Sequence, residues 1–207
     1  MTKTVRMLPL FPLGVVLFPK SALPLHIFEE RYKILINLAL EDGTDFGINL
    51  VENGVMAKVG CTARVRDVLR QYDDGKMDIV IEGERRYEVV RFHEDKAPYF
   101  VGTVVYPQQE PGYDRALLTE TVTLYNRLMA TVYKGGDFQL RGDVAEDMPS
   151  FRMAQKAGLD LAARQQLLEE DSETGRLRRL LNWFREVIPK LENAVEIDRI
   201  VHNDGYL

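Results

Sequence analysis

The run LPLFPLGVVLFPKSALPLHIFEERY, Leu8 to Tyr32, decides how the rest of the chain is read. Lys3 and Arg6 precede it and its first half is almost wholly apolar, the composition of a secretory signal. Pro9, Pro12 and Pro19 interrupt that half, each removing a backbone donor and clashing with a helical turn. The longest unbroken piece, Leu13 to Phe18, falls short of the roughly 7–15 residues of a signal core. The Lys20-Ser21-Ala22-Leu23-Pro24 that follows offers no A-x-A-like cleavage site. A residue before proline is biased toward extended backbone. The run therefore reads as part of a folded domain, two short strands with a kink at Gly14.

Working outward, the chain changes period near its middle. Up to about Pro107 apolar residues alternate or come in short runs broken by glycine and proline. Asp45 to Val51 and Thr62 to Leu69 read as strands, and Met77, Ile79 and Ile81 alternate with Asp78 and Val80 as on a sheet face. Asp73-Asp74-Gly75-Lys76 supplies a turn. Gly83 separates Ile79–Ile81 from Tyr87–Val90, where a sheet would bend or change partner. One helix interrupts this half, with Tyr32, Leu35, Ile36, Ala39 and Leu40 on one face and Gly43 as its stop. From about Tyr113 the spacing is helical. Leu118, Val122, Tyr125, Met129 and Val132 form one stripe that Gly135-Gly136 ends. Pro149 opens a short helix that Gly158 closes, and Asp160 caps the next. Leu177, Leu180, Leu181, Phe184, Val187, Ile188 and Leu191 mark the last.

Composition narrows the function classes. The 207 residues suffice for one large domain or two small ones, and 45% hydrophobic with 29% charged residues is ordinary for a soluble globular chain. No apolar run approaches the ~18 residues of a membrane span. A net charge of −5 weighs against wholesale nucleic-acid binding, which needs a concentrated positive surface. Cys61 is the only cysteine, so no intrachain disulfide or thiolate metal cluster can form, as fits a reducing cytoplasm.

Catalytic patterns are missing. Ser21, Ser150 and Ser172 lie in no G-x-S-x-G turn, and His26, His93 and His202 are scattered over different elements. His26 alternates with Leu25 and Ile27, as a strand residue with one satisfied ring nitrogen would. No H-E-x-x-H, C-x-x-C, calcium loop or P-loop occurs, so no metal or cofactor is expected. Arg64, Arg66, Arg70, Arg85, Arg86 and Arg91 form the one notable basic set, readable as a solvated sheet face neutralised by nearby acids or as an RNA or acidic-peptide contact. A cryptic site using Cys61 or a histidine stays open as a further reading.

The opening run then carries a resemblance. Leu8-Pro9-Leu10-Phe11-Pro12-Leu13, Val16-Leu17-Phe18-Pro19 and Leu23 to Tyr32 resemble the N-terminal domain of the Lon protease family, whose Ile-Phe-Glu-x-Arg-Tyr piece is the most specific element. Phe46-Gly47-Ile48, Gly60-Cys61-Thr62-Ala63, Glu82 to Tyr87, Arg164 to Glu169 and Arg176-Leu177 resemble later parts of that domain.

The resemblance implies an α+β fold: a six-stranded, twisted, partly closed PUA-like β-barrel with one helix over residues 1–110, then a helical bundle over 111–207. It implies a non-enzymatic, cytoplasmic domain in protein quality control, without the ATPase and Ser-Lys peptidase modules of Lon proteases. Its partners would be unfolded or exposed polypeptide segments, with an ATP-dependent protease or chaperone behind it. An RNA-binding accessory role using the PUA-like sheet is the alternative. Phe11, Phe18 and Phe28 are candidate walls of an apolar peptide groove, or ordinary core. His26, Glu29, Arg31, Tyr32, Gly83 and Arg86 are expected to be architectural. Glu29 would face the positive end of the helix dipole, and Arg31 would reach a carboxylate or carbonyl on adjoining strands. Phe28 would pack on Tyr32, four residues on.

Overall fold

The structure is a computed structural model. It describes residues 5–93, 95–108, 112–133, 138–140 and 148–203, with backbone alone at 199–201 and 203. The Gly135-Gly136 helix stop lies outside the described residues. Two compact units emerge, one of residues 1–109 with 159–169, the other of 110–158 with 170–207.

The first unit is built on six strands: β1 (Val5–Leu13), β2 (Ala22–Ile27), β3 (Phe46–Glu52), β4 (Val55–Gln71), β5 (Met77–His93) and β6 (Phe100–Val105). Helix α1 (Glu30–Asp42) connects β2 to β3, and its buried Tyr32, Leu35, Ile36 and Ala39 follow the helical spacing. Leu40, on the expected stripe, is instead exposed. The helix ends where Gly43 turns to φ 61°, a left-handed conformation that glycine takes without strain. The expected kink at Gly14 ends β1, but Val16–Phe18 do not form a strand; they leave the sheet and bury their side chains, and extended pairing resumes only at Ala22.

The sheet runs β2-β5-β4-β3-β1-β6, and β6 also pairs with β5. The ladder β1-β3-β4-β5-β6 thus returns to β1, while β2 lies outside the ring as a flap on β5. This is the partly closed six-stranded barrel. The β1–β3 pair is parallel and its crossover carries α1; the other pairs are antiparallel. The Asp73–Lys76 turn joins β4 to β5, with Gly75 at φ 79°. Strand β5 changes partner around Gly83, from β2 through Glu82 to β6 from Glu88. A Cβ at Gly83 would collide with the Phe18 carbonyl oxygen, so only glycine lets the chain cross there.

Two apolar clusters fill the unit. One gathers Phe11, Leu17, Ile27, Tyr32, Ile36, Phe46, Cys61 and Ile79 with their neighbours under α1. The other holds Leu8, Leu10, Tyr87, Val89 and Val104. Adjacent residues of β1 thus point into different clusters, which is the period of a strand buried on both faces. Helix α4 (Leu161–Glu169) belongs to this unit. Asp160 caps it, its Oδ1 accepting from the Ala163 N–H at 2.7 Å. Gln165 Nε2 donates to the Val59 carbonyl at 3.1 Å, and Arg86 Nη2 from β5 donates to the Glu169 carbonyl at 3.0 Å.

The second unit packs α2 (Arg115–Val132), α3 (Pro149–Ala154) and α5 (Glu173–Asn203). Leu118, Val122, Tyr125 and Met129 of α2 are buried, as are Leu177, Leu180, Phe184 and Ile188 of α5, with Tyr125 and Phe184 ring centroids 6.1 Å apart. Asp114 caps α2 through the Ala116 and Leu117 N–H groups. Pro149 opens α3 as expected, but the helix stops at Ala154, short of Gly158.

Candidate functional site

The residues of the opening run divide between interior and surface. Phe11 is 5% exposed and stacks on the Tyr32 ring with centroids 3.9 Å apart. Phe18 is 0% exposed, with the Arg164 guanidinium of α4 over its ring at 4.8 Å. Phe28 is 58% exposed. The three rings therefore do not line one wall. Phe28 does not pack on Tyr32 either: α1 begins only at Glu30, so the i,i+4 relation of a helix does not connect them. Its neighbour is His26, the two rings lying 6.0 Å apart and nearly parallel.

The other residues of the run fasten the structure locally. Glu29 is the N-cap of α1, but its side chain caps no N–H; it takes hydrogen bonds from Arg31 Nε at 2.9 Å and Nη2 at 2.8 Å. Arg31 thus finds its carboxylate within its own turn rather than on a strand, and its guanidinium lies 4.6 Å from the Tyr32 ring centroid. Burial pushes the Tyr32 hydroxyl above its usual pKa.

On the outer side of β2 stands a small polar cluster. His26, Asp78 and Arg70 occupy matched positions across β2, β5 and β4. His26 Nδ1 meets Asp78 Oδ1 at 2.6 Å, and Tyr72 donates to Asp78 Oδ2 at 2.7 Å. Arg70 lies over the Tyr72 ring at 4.5 Å. The hydrogen bond from His26, then that from Tyr72, holds the Asp78 carboxyl below its usual range. The Tyr72 hydroxyl is pushed up by the same carboxylate, which it must keep facing as a donor. With His26 49% and Asp78 33% exposed, Phe28 and this cluster form one aromatic and polar surface at the β2–α1 corner. Spacing alone does not bring Tyr72 and Asp78 to His26. The cross-strand register does, and bulges at Val65/Asp67 and Val68/Arg70 displace it from what alternation would give.

The arginine set is dispersed in its partners. Arg64 forks onto Asp45, Arg66 pairs with Asp67, Arg85 lies over Tyr106 and Arg86 is buried against α4. Cys61 is fully buried, and that burial pushes its thiol far above the usual value, so little thiolate forms near neutral pH. Among the described residues no group of three or more His, Cys, Asp or Glu side chains is placed to hold a metal ion, and no helix is long and apolar enough to cross a membrane.

Comparison with known proteins agrees with this architecture. The Lon N-terminal domain protein from Xanthomonas campestris superimposes with a TM-score of 0.69 at 28% identity, over 86% of this chain and 98% of that one. The N-terminal domain of the Mycobacterium avium complex Lon protease gives 0.70 at 19% identity, over 87% and 99%, and at that identity shows the fold alone. The family model for the ATP-dependent protease La (LON) substrate-binding domain matches residues 7–186. A partly closed barrel that includes the opening run, the helices that follow it and a match along most of its length lead to one conclusion: the chain belongs to the LON substrate-binding domain family.

Proposed function

We propose that this chain is a non-catalytic polypeptide-binding domain of cytoplasmic protein quality control, which holds exposed apolar segments of unfolded proteins for an ATP-dependent protease or chaperone. The observation that carries this reading is the exposed Phe28 ring at the end of β2, set on a scaffold whose other motif aromatics are buried. Fully burying an exposed phenylalanine is worth on the order of 1.5–3 kcal/mol, and a ring 58% exposed gains roughly half of that when a client covers it. Ile34 and Leu38, exposed and one turn apart on the outer face of α1, add apolar surface, while Leu23 and Leu25 of β2 are partly buried against the core. The family's substrate-binding role supports the polypeptide class of ligand. The RNA alternative gains no support from Arg64 and Arg66, which are paired with carboxylates, or from interior Arg86, which leaves exposed Arg70, Arg85 and Arg91 to carry it.

The test is fluorescence anisotropy of labelled, reduced and carboxymethylated lysozyme titrated with this protein at low and high salt, beside a labelled single-stranded RNA. Apolar capture is nearly indifferent to salt, whereas counterion release makes nucleic-acid affinity fall steeply with it. Salt-resistant binding of the polypeptide alone is expected. Binding of the RNA alone, lost in salt, would replace this reading with the other.

A further inference from the structure

Strand β2 is paired along a single side over its whole length, as is the Arg64–Gln71 half of β4. The direction of its free backbone groups follows from the ladder. The Gly83 N–H donates to the Ser21 carbonyl at 2.9 Å, one step beyond the Ala22–Glu82 pair. Hydrogen-bonded and non-bonded pairs alternate in an antiparallel ladder, so Leu23, Leu25 and Ile27 direct their backbone groups to β5. Ala22, Pro24 and His26 direct theirs outward. Pro24 fits this parity, because it has no N–H to give and its place in the outward set costs the ladder nothing.

Natural sheets blunt such an edge with short strands, charged side chains, proline, bulges or a covering element, and of these β2 has its six-residue length and Pro24. Ala22-Leu23-Pro24-Leu25-His26-Ile27 carries no Asp, Glu, Lys or Arg, and its pairing with β5 runs without a bulge. The side chains of Ala22, Pro24 and His26 are exposed. Pro24 removes one donor and leaves the rest of the edge able to pair.

We propose that this edge binds the client by strand addition: an extended segment of unfolded polypeptide aligns along Ala22–Ile27 as a further strand. The N–H groups of Ala22 and His26 donate to it, and the carbonyls of Ala22, Pro24 and His26 accept from it. The inference rests on the polypeptide-binding reading above and names how that site grips. Main-chain pairing is common to all sequences, so it suits clients that share an unfolded backbone and little else. Only an extended chain offers alternating donors and acceptors at the strand repeat, which favours a polypeptide occupant over a compact one. Phe28, two residues past His26, then meets a side chain of the added segment.

Amide hydrogen exchange of the full chain, followed residue by residue by NMR, separates the outcomes. In the free protein the Ala22 and His26 amides exchange fast while Leu23 and Leu25 are protected. With saturating reduced, carboxymethylated lysozyme, the Ala22 and His26 amides slow at least about tenfold. Ala22→Pro removes one outward donor and weakens binding about fivefold, with Leu25 protection retained as proof that β2 still lies on β5. Binding that leaves Ala22 and His26 exchange unchanged overturns strand addition and spares the polypeptide reading. Absence of binding overturns both. Protection of these two amides that rises with protein concentration alone gives the edge to a second copy, and overturns the inference.

Discussion

Two polar clusters of this protein use similar groups to opposite ends. In the helical unit, Glu173 accepts from the Ser150 N–H and hydroxyl at 2.8 Å each and pairs with Arg176 at 2.8 Å, while Arg176 also donates to the Glu170 carbonyl at 2.7 Å. Glu173 and Arg176 are 4% and 1% exposed. On the barrel, Asp78 sits between His26 and Tyr72 with a third of its side chain exposed to solvent. Removed from water, charges must satisfy one another, and the cluster becomes a fastener between α3 and α5. Left in water, the same kind of cluster costs little to rearrange and remains available to a ligand. The aromatic residues of the opening run divide in the same way, Phe11 and Phe18 inward and Phe28 outward.

The sharpest way to break this contrast is to remove one carboxylate from each cluster. Glu173→Ala leaves the Arg176 charge buried without its carboxylate and should cost about 3–5 kcal/mol in a denaturant titration. Asp78→Ala should leave the midpoint nearly unchanged. Equal losses in the two variants would erase the distinction between fastener and surface.

The aromatic contrast should be next in size. Phe11→Ala and Phe18→Ala each open a cavity in a packed interior and should cost about 3–5 kcal/mol. Phe28→Ala should stay within about 0.5 kcal/mol of the parent. A large loss from Phe28→Ala would place that ring in the core in solution.

The smallest effect concerns pH. The depressed Asp78 carboxyl contributes stability that is present above the ordinary carboxylate pKa of about 3.9 and is lost as pH falls through the lower folded value. His26→Ala removes the largest cause of the depression, so the Asp78 carboxyl should titrate closer to the ordinary value by carbon-detected NMR. An unmoved titration would show that Tyr72 and Arg70 hold the carboxyl without the imidazole.

Much of the barrel was legible because its punctuation is chemical. Proline excludes a helical Leu8–Phe18, helical spacing from Tyr32 to Ala39 gives α1, and alternation from Met77 to Ile81 gives one face of β5. Gly83 marked the change of partner correctly, although β5 runs through it as one strand, and β4 likewise runs through Gly60. Each is there to make room, Gly60 beneath the Tyr87 ring and Gly83 against the Phe18 backbone. The surface at the β2–α1 corner was only half legible. Phe28 and His26 stand in the motif, but Tyr72 and Asp78 join them through a strand register shifted by bulges. A one-residue shift exchanges the faces of a strand, so the cluster became visible only with the sheet assembled. The Phe28–Tyr32 expectation failed for a related reason: helical spacing was applied two residues before the helix begins.

The most direct measurement is the anisotropy titration of labelled, carboxymethylated lysozyme with the parent protein and Phe28→Ala, both confirmed folded, at high salt. Covering a phenylalanine that is 58% exposed contributes roughly 1–2 kcal/mol, so the parent should bind and Phe28→Ala should bind at least about fivefold more weakly. Equal affinities of the two proteins would contradict a polypeptide site at the β2–α1 corner.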